Sequence, residues 1–480
     1  MVEPSPLLFT LLVVLLFIVC CDAINYSFEE KTRVLNLNNL KREPKIITSS
    51  NCLSKKSRIE RGATILEMKH SDHCYGGTNA DWNKRQQRKI ITDEIRVKSL
   101  QSRIKNMVFN YNNGVSDTQI PLTSGIDLET LNYIVTIELG GRKLTVIVDT
   151  GSDLTWVQCQ PCKSCYNQQD PLFNPSMSSS YQTVLCNSTT CQSLQFDTGN
   201  RGVCASNTQT CNYSVSYGDG SYTSGELGRE NLNLGNTTVN DFVFGCGRSN
   251  NGLFGGVSGL MGLGMSNVSL VSQTPNIFGG VFSYCLPTTE AEASGSLVLG
   301  GNTSVYKNST PISYTKMVQN PMLPTFYFIN LTGISIGGVA LESPSFGKSR
   351  FLIDSGTVVS RLPPSIYRVV RAEFMKQVSG FPSAPGYSIL DTCFDLSGYE
   401  EVDIPKIEIQ FEGNSGMTVD VTGVFYFVKT DASQVCLALA SLSYEGEIGI
   451  IGNFQQKNQR VVYDTKQSMF GFAEEACSFE

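Results

Sequence analysis

From Tyr133 to the C-terminus, short apolar runs alternate with clusters of Gly, Asn and Ser, the pattern of β-strands separated by turns. The runs Tyr133–Leu139 and Leu144–Val148 flank a Gly-Gly pair, and so do Phe326–Leu331 and Phe351–Ile353. Each half then continues with an acidic residue, a hydroxyl residue and Gly: Asp149-Thr150-Gly151-Ser152 in the first, Asp354-Ser355-Gly356-Thr357 in the second. Further along, each half carries two apolar residues before Gly, Leu260-Met261-Gly262 and Ile450-Ile451-Gly452. The pattern predicts a duplicated β-rich lobe, all-β dominated, with the boundary in the Pro-bearing stretch that holds Pro311, Pro321 and Pro324. The expected layout is a first lobe over 117–312 and a second over 313–480.

Upstream the texture differs. Val97, Leu100, Ile104 and Met107 mark one face of a helix, surrounded by Lys84, Arg85, Arg88, Lys89, Arg96, Lys98, Arg103 and Lys105. A basic amphipathic helix suits nucleic acid, a membrane surface, calmodulin or an acidic surface of the same chain. Charge favours the last. Residues 24–116 hold 18 Lys and Arg against 9 Asp and Glu, a net +9, whereas residues 117–480 carry 19 against 32, a net −13. We therefore expect a basic prosegment over 24–116 that binds its own body, and no nucleic-acid partner. Ahead of it, the apolar run Leu7–Cys20 ending in Cys21-Asp22-Ala23 reads as a signal peptide over 1–23, too short for a membrane span. No lipid-anchor signal follows at the C-terminus, so the expected destination is extracellular, with the vacuole or another secretory compartment as alternatives.

Cysteine use fits secretion. Twelve of the 16 cysteines lie in the body: Cys159, Cys162, Cys165, Cys186, Cys191, Cys204, Cys211, Cys246, Cys285, Cys393, Cys436 and Cys477. They allow up to six disulfides in an oxidising compartment. The spacing of Cys159, Cys162 and Cys165 also resembles a metal site, but the body has no histidine and we expect no metal. Sequons at Asn25, Asn187, Asn212, Asn236, Asn267, Asn302, Asn308 and Asn330 suit a glycoprotein.

The absence of histidine after His70 and His73 removes Ser-His-Asp and Cys-His catalysis from the body. Two carboxylates at equivalent places of a duplicated lobe remain. If the lobes pack about a two-fold axis, Asp149 and Asp354 meet, and two carboxyls that close share a proton. One then serves as base toward water and the other as acid toward a carbonyl. No cofactor is needed.

These motifs resemble the pepsin-like aspartic proteases over nearly all of Tyr133–Ala473. The continuation Asp153-Leu154-Thr155-Trp156-Val157-Gln158-Cys159 and the Cys-rich insertion after it resemble the plant nepenthesin-like, or atypical, branch. The resemblance implies a bilobal fold with a central cleft and Asp149 and Asp354 as the catalytic pair. Thr150, Gly151, Ser152, Ser355, Gly356 and Thr357 would support them. Tyr217 and Gly218 would belong to a flap over substrate, with Trp156 behind the tyrosine, and Cys393 and Cys436 would form the second-lobe disulfide. The implied protein is a monomeric, secreted aspartic endopeptidase made as an acid-activated zymogen, with protein or peptide substrates. The alternative is a non-catalytic inhibitor or binding protein on the same fold.

Overall fold

The computed structural model describes residues 31–38, 56–71, 79–113, 133–198, 202–204, 209–217, 221–252, 254, 256–288, 294–306 and 309–479. The signal peptide, Gly218, His73 and the joint between leader and first lobe lie outside these residues, as does the side chain of Met107.

Two β-rich lobes meet over a shared sheet. At its centre the strand Val281–Cys285 of the first lobe pairs antiparallel with Gln459–Asp464 of the second. Outward on one side lie Met469–Glu474 and Ser313–Lys316, and on the other Gly295–Leu299. The facing residues there are aromatic. Phe282 stacks on Tyr463 with ring centroids 4.4 Å apart, and the Tyr284 and Tyr463 hydroxyls lie 2.8 Å apart. Wholly buried Tyr327 reaches across to the Leu263 carbonyl at 2.7 Å. Large buried aromatics with satisfied hydroxyls give this junction both apolar area and directional contacts.

The leader contributes more than a helix. Its strand Ala63–His70 completes the shared sheet, pairing antiparallel with Gly295–Leu299 on one side and touching Tyr133 and Ile134 on the other. Leu66 and Met68 point into the core at 1% and 0% exposure. A second leader strand, Thr32–Asn36, pairs antiparallel with Glu401–Pro405 of the second lobe in a separate two-stranded sheet. The leader helix runs Asn79–Asn113, longer than its apolar face suggested. Val97, Leu100 and Ile104 are buried against Leu323, Phe326, Phe328, Leu352, Leu442 and Ile450, all second-lobe or junction residues.

Each lobe threads its Asp-bearing loop in the same way. The strand Arg142–Asp149 lies parallel to Gly259–Gly262, which also pairs antiparallel with Trp156 and Val157. In the second lobe Arg350–Ile353 lies parallel to Gly449–Ile451, whose Ile450 pairs with Arg361. All twelve body cysteines pair: Cys159–Cys246, Cys162–Cys165, Cys186–Cys204, Cys191–Cys211, Cys285–Cys477 and Cys393–Cys436.

The two loops are cross-braced with near-perfect reciprocity. The Thr150 N–H donates to the Ser355 hydroxyl oxygen at 3.1 Å, and the Ser355 N–H donates to the Thr150 hydroxyl oxygen at 3.0 Å. The Thr150 hydroxyl donates on to the Ile353 carbonyl at 3.3 Å, and the Ser355 hydroxyl to the Val148 carbonyl at 3.2 Å. Both residues are essentially inaccessible to solvent. Replacing one of them by Ala strands a buried N–H, which costs about 1–3 kcal/mol. Thr150→Ala and Ser355→Ala should each lower the thermal midpoint. The double variant should cost about the sum of the two, because each substitution strands a different N–H. An unchanged midpoint in both single variants would show that the brace does not hold the loops in solution.

Candidate active site

Asp149 and Asp354 stand at the lobe junction, 1% and 0% exposed. Each is held by its own loop in the same manner. Asp149 accepts the Ser152 hydroxyl at 2.7 Å and the Gly151 N–H at 3.1 Å. Asp354 accepts the Thr357 hydroxyl at 2.6 Å and the Gly356 N–H at 2.9 Å. The glycines follow from this closeness. A Cβ at Gly151 would come 2.7 Å from an Asp354 carboxylate oxygen, and one at Gly356 would come 2.4 Å from an oxygen of Asp149. Any larger residue would push the two carboxylates apart. Behind the second loop, Asn453 donates to the Ser355 carbonyl at 2.9 Å and takes the Thr357 carbonyl on its own N–H at 2.8 Å.

Between the carboxylates lies Arg96 of the leader helix. Its Nη2 is 3.0 Å from Asp149 Oδ1 and 3.2 Å from Asp354 Oδ2. Burial raises the Asp149 carboxyl above its ordinary value, against the pull of Arg96, and the charge on Asp354 adds to the rise. Burial acts on Asp354 in the same sense, but there Arg96, Thr357 and the Gly356 N–H prevail and hold it below the ordinary value. The two environments thus pull in opposite directions, favouring the neutral form at Asp149 and the charged form at Asp354, which is how two like charges this close are accommodated. A neutral and an ionised carboxyl, facing one point in a dry junction, form an acid and a base.

Tyr217 sits at the tip of the hairpin made by Cys211–Ser216 and Tyr222–Leu234. Trp156 Nε1 donates to its hydroxyl at 2.6 Å, and Phe254 packs edge-on against both rings. Burial pushes the Tyr217 phenol well up, so it stays neutral. Every site residue inferred from the sequence and described by the structure therefore converges here, apart from the cysteines, which form disulfides.

Three residues of the leader helix reach the site without having been singled out in the sequence. Arg96 was one of eight basic residues around the helix. Arg103 donates to the Gly151 carbonyl at 3.3 Å while its guanidinium lies 4.7 Å over the Phe326 ring. Asp93 accepts the N–H groups of Val358 and Val359 at 2.7 and 3.1 Å and pairs with Arg361 at 2.8 Å. The available signal was their helical spacing: 93, 96, 100, 103 and 104 lie on the face that carries the apolar stripe. That stripe is where a partner surface is met.

Comparisons with known proteins place this geometry. Residues 133–301 match the family model described as Xylanase inhibitor N-terminal, and residues 326–474 match Xylanase inhibitor C-terminal. Among curated relatives, an aspartyl protease family protein of Arabidopsis thaliana is 43% identical over 80% of this chain and 81% of its own length. Aspartyl protease AED1 of the same plant is 37% identical over 96% and 98%, and the aspartic proteinase nepenthesin-1 of Nepenthes gracilis is 36% identical over 72% and 78%. Of solved structures, the basic 7S globulin from soybean shares the fold at a TM-score of 0.55 and 20% identity, covering 72% of this chain and 92% of that one. Two lobes matched by consecutive family models, and a protease relative aligned almost end to end, lead to one assignment: the chain belongs to the nepenthesin-like plant branch of the pepsin-like aspartic proteases and is an aspartic-type endopeptidase.

Proposed function

We propose that the protein is a secreted protease made as a zymogen, in which Asp149 and Asp354 activate water and residues 24–116 hold the site shut until acid releases them. The lobes are residues 117–312 and 313–480, after a signal peptide over 1–23. The observation that carries this reading is the position of Arg96, a single guanidinium bridging both carboxylates. It occupies the point between the two oxygens where a nucleophilic water would have to sit.

With the leader gone, the ionised carboxylate takes a proton from water and the protonated one donates toward the substrate carbonyl. Attack gives a tetrahedral intermediate without any covalent bond to the enzyme. Ser152 and Thr357 hold the outer carboxylate oxygens, so the inner ones stay aimed at the reaction. Tyr217, anchored by Trp156, closes over the cleft with its hairpin and excludes water. The fold is also the one matched by models named for xylanase inhibitors. A purely inhibitory role is disfavoured by a complete carboxylate pair, both hydroxyl supports and the Trp156–Tyr217 contact in one chain.

Two predictions follow from this arrangement. Asp149→Asn or Asp354→Asn in the acid-treated protein should each lower kcat on a denatured protein substrate by roughly a thousandfold or more, because the pair acts as a unit. The loss should leave the circular dichroism spectrum unchanged, and full activity in either variant would overturn the mechanism.

The second concerns release. Asp354 is held below its ordinary value in the closed form, so the closed form binds protons less readily than the open one. The hold is complete above the carboxyl's open-form value and is lost as pH falls through the lowered one. Asp149, raised by burial, acts in the opposite sense, but its effect is complete once pH falls below the ordinary carboxyl value, so it opposes release only above that range. Leader loss should therefore accelerate below about pH 4, where ordinary carboxyls titrate. Arg96→Ala should relieve the requirement, raising the rate of leader loss at pH 6 by roughly tenfold or more, equivalent to about 1.4 kcal/mol of lost hold. Time courses of leader dissociation, followed by size-exclusion chromatography under native conditions, would check this. Identical pH profiles for the native and Arg96→Ala proteins would remove Arg96 from the latch.

A further inference from the structure

The leader helix places a second charged contact in the cleft, one turn before Arg96. Asp93 is 3% exposed, and its carboxylate is fully engaged by the second lobe: the Val358 N–H at 2.7 Å, the Val359 N–H at 3.1 Å and Arg361 Nη2 at 2.8 Å. Arg361 is itself 2% exposed, in the strand Ser360–Leu362. From the second lobe its guanidinium has the Val359 carbonyl, which accepts from Nη1 at 2.6 Å. Glu94, also on the leader helix, lies within its electrostatic reach. Among the described residues, Asp93 is the one carboxylate ion-paired with Arg361, and it belongs to the leader.

Once that helix leaves, the second lobe retains a guanidinium and two backbone N–H groups converging on one point with no anion between them. A buried cation without a counter-charge is costly, so such a site strongly favours an occupant that restores the carboxylate. The site borders the reaction centre. Val358 and Val359 directly follow Thr357, whose hydroxyl holds Asp354. Along the helix, Asp93 and Arg96 are separated by about 4.5 Å of rise. In an extended substrate that distance corresponds to about one to two residues.

Resting on the protease reading above, we propose that Arg361, with the Val358 and Val359 N–H groups, forms a specificity subsite for an acidic side chain of the substrate, and that Asp93 occupies it in the zymogen as a substrate mimic. The mature enzyme then prefers peptides carrying Asp or Glu at one position close to the scissile bond.

The test uses acid-matured protein and peptide pairs of one backbone, each with Glu or Gln at one of the three positions on either side of the cleaved bond. At pH 5.5 the Glu member should exceed the Gln member in kcat/KM by roughly tenfold at one position, the size of a charge-assisted contact. The ratio should fall toward one by pH 3, as the peptide carboxyl takes up its proton while the guanidinium keeps its charge. Arg361→Gln should bring the pH 5.5 ratio close to one, and Arg361→Lys should retain part of it. A ratio of one at every position in the native enzyme overturns the subsite with no variant required, and a Glu preference that survives Arg361→Gln overturns its assignment to Arg361. Fluorescence anisotropy of the same peptides separates this proposal from the activity. Tighter binding of the Glu member with neither peptide cleaved would support the subsite and defeat the protease reading. Equal binding of both members would defeat the subsite whatever the rate.

Discussion

Two carboxylates forced together in a dry junction set the terms for the rest of the molecule. Their repulsion has to be absorbed locally, and every neighbour contributes: a hydroxyl on each outer oxygen, an N–H on each inner one, glycines that let the loops approach, and burial that favours the neutral form of Asp149. The Thr150–Ser355 brace fixes the spacing of the loops, and the aromatic sheet beneath keeps the lobes from rocking apart. In the closed form the remaining charge on Asp354 is met by Arg96. On the proposed reading, the same electrostatic problem supplies both the chemistry and the means of suppressing it.

The leader solves that problem with contacts of quite different character. Val97, Leu100 and Ile104 provide apolar burial without direction, whereas Arg96 and Asp93 provide ionic contacts with fixed partners. Apolar area gives the helix its residence on the cleft, and the ion pairs give it register. A helix of the same hydrophobicity shifted by one turn would bury as much surface and leave Asp93, Arg361 and both catalytic-loop carboxylates mismatched. Charge, in this interface, specifies position more than it supplies affinity.

Much of the site was legible in the sequence because its chemistry is local. Asp149 through Ser152 and Asp354 through Thr357 are four-residue segments whose spacing and repetition are visible without any fold. The duplicated β texture announced the lobes for the same reason. What was not legible depends on distance along the chain. The strand Ala63–His70 has an ordinary apolar composition inside a basic leader, and its partner Gly295–Leu299 lies over two hundred residues away, so nothing nearby marks it as part of the sheet. Arg96 was indistinguishable from Lys98 by composition; one meets the carboxylates and the other the half-buried Glu94, a difference created only by the helix's docking angle. Asp93 and Arg361, more than 260 residues apart, are polar positions that pattern reading assigns to solvent, and they are buried because each satisfies the other.

The leader's place in the shared sheet separates two events that are easily equated. Its strand is held by a ladder from Thr64 opposite Leu299 to Met68 opposite Gly295, with Leu66 and Met68 sunk in the core. None of those contacts depends on the backbone being continuous beyond the helix. A nick between the leader and the first lobe would therefore yield two chains still folded as one body, with Arg96 in place. Shortening on a denaturing gel would register the nick, while accessibility of the cleft would wait for the strand to peel away, a slower step with its own temperature dependence. Chain length and competence are, for this architecture, separate clocks.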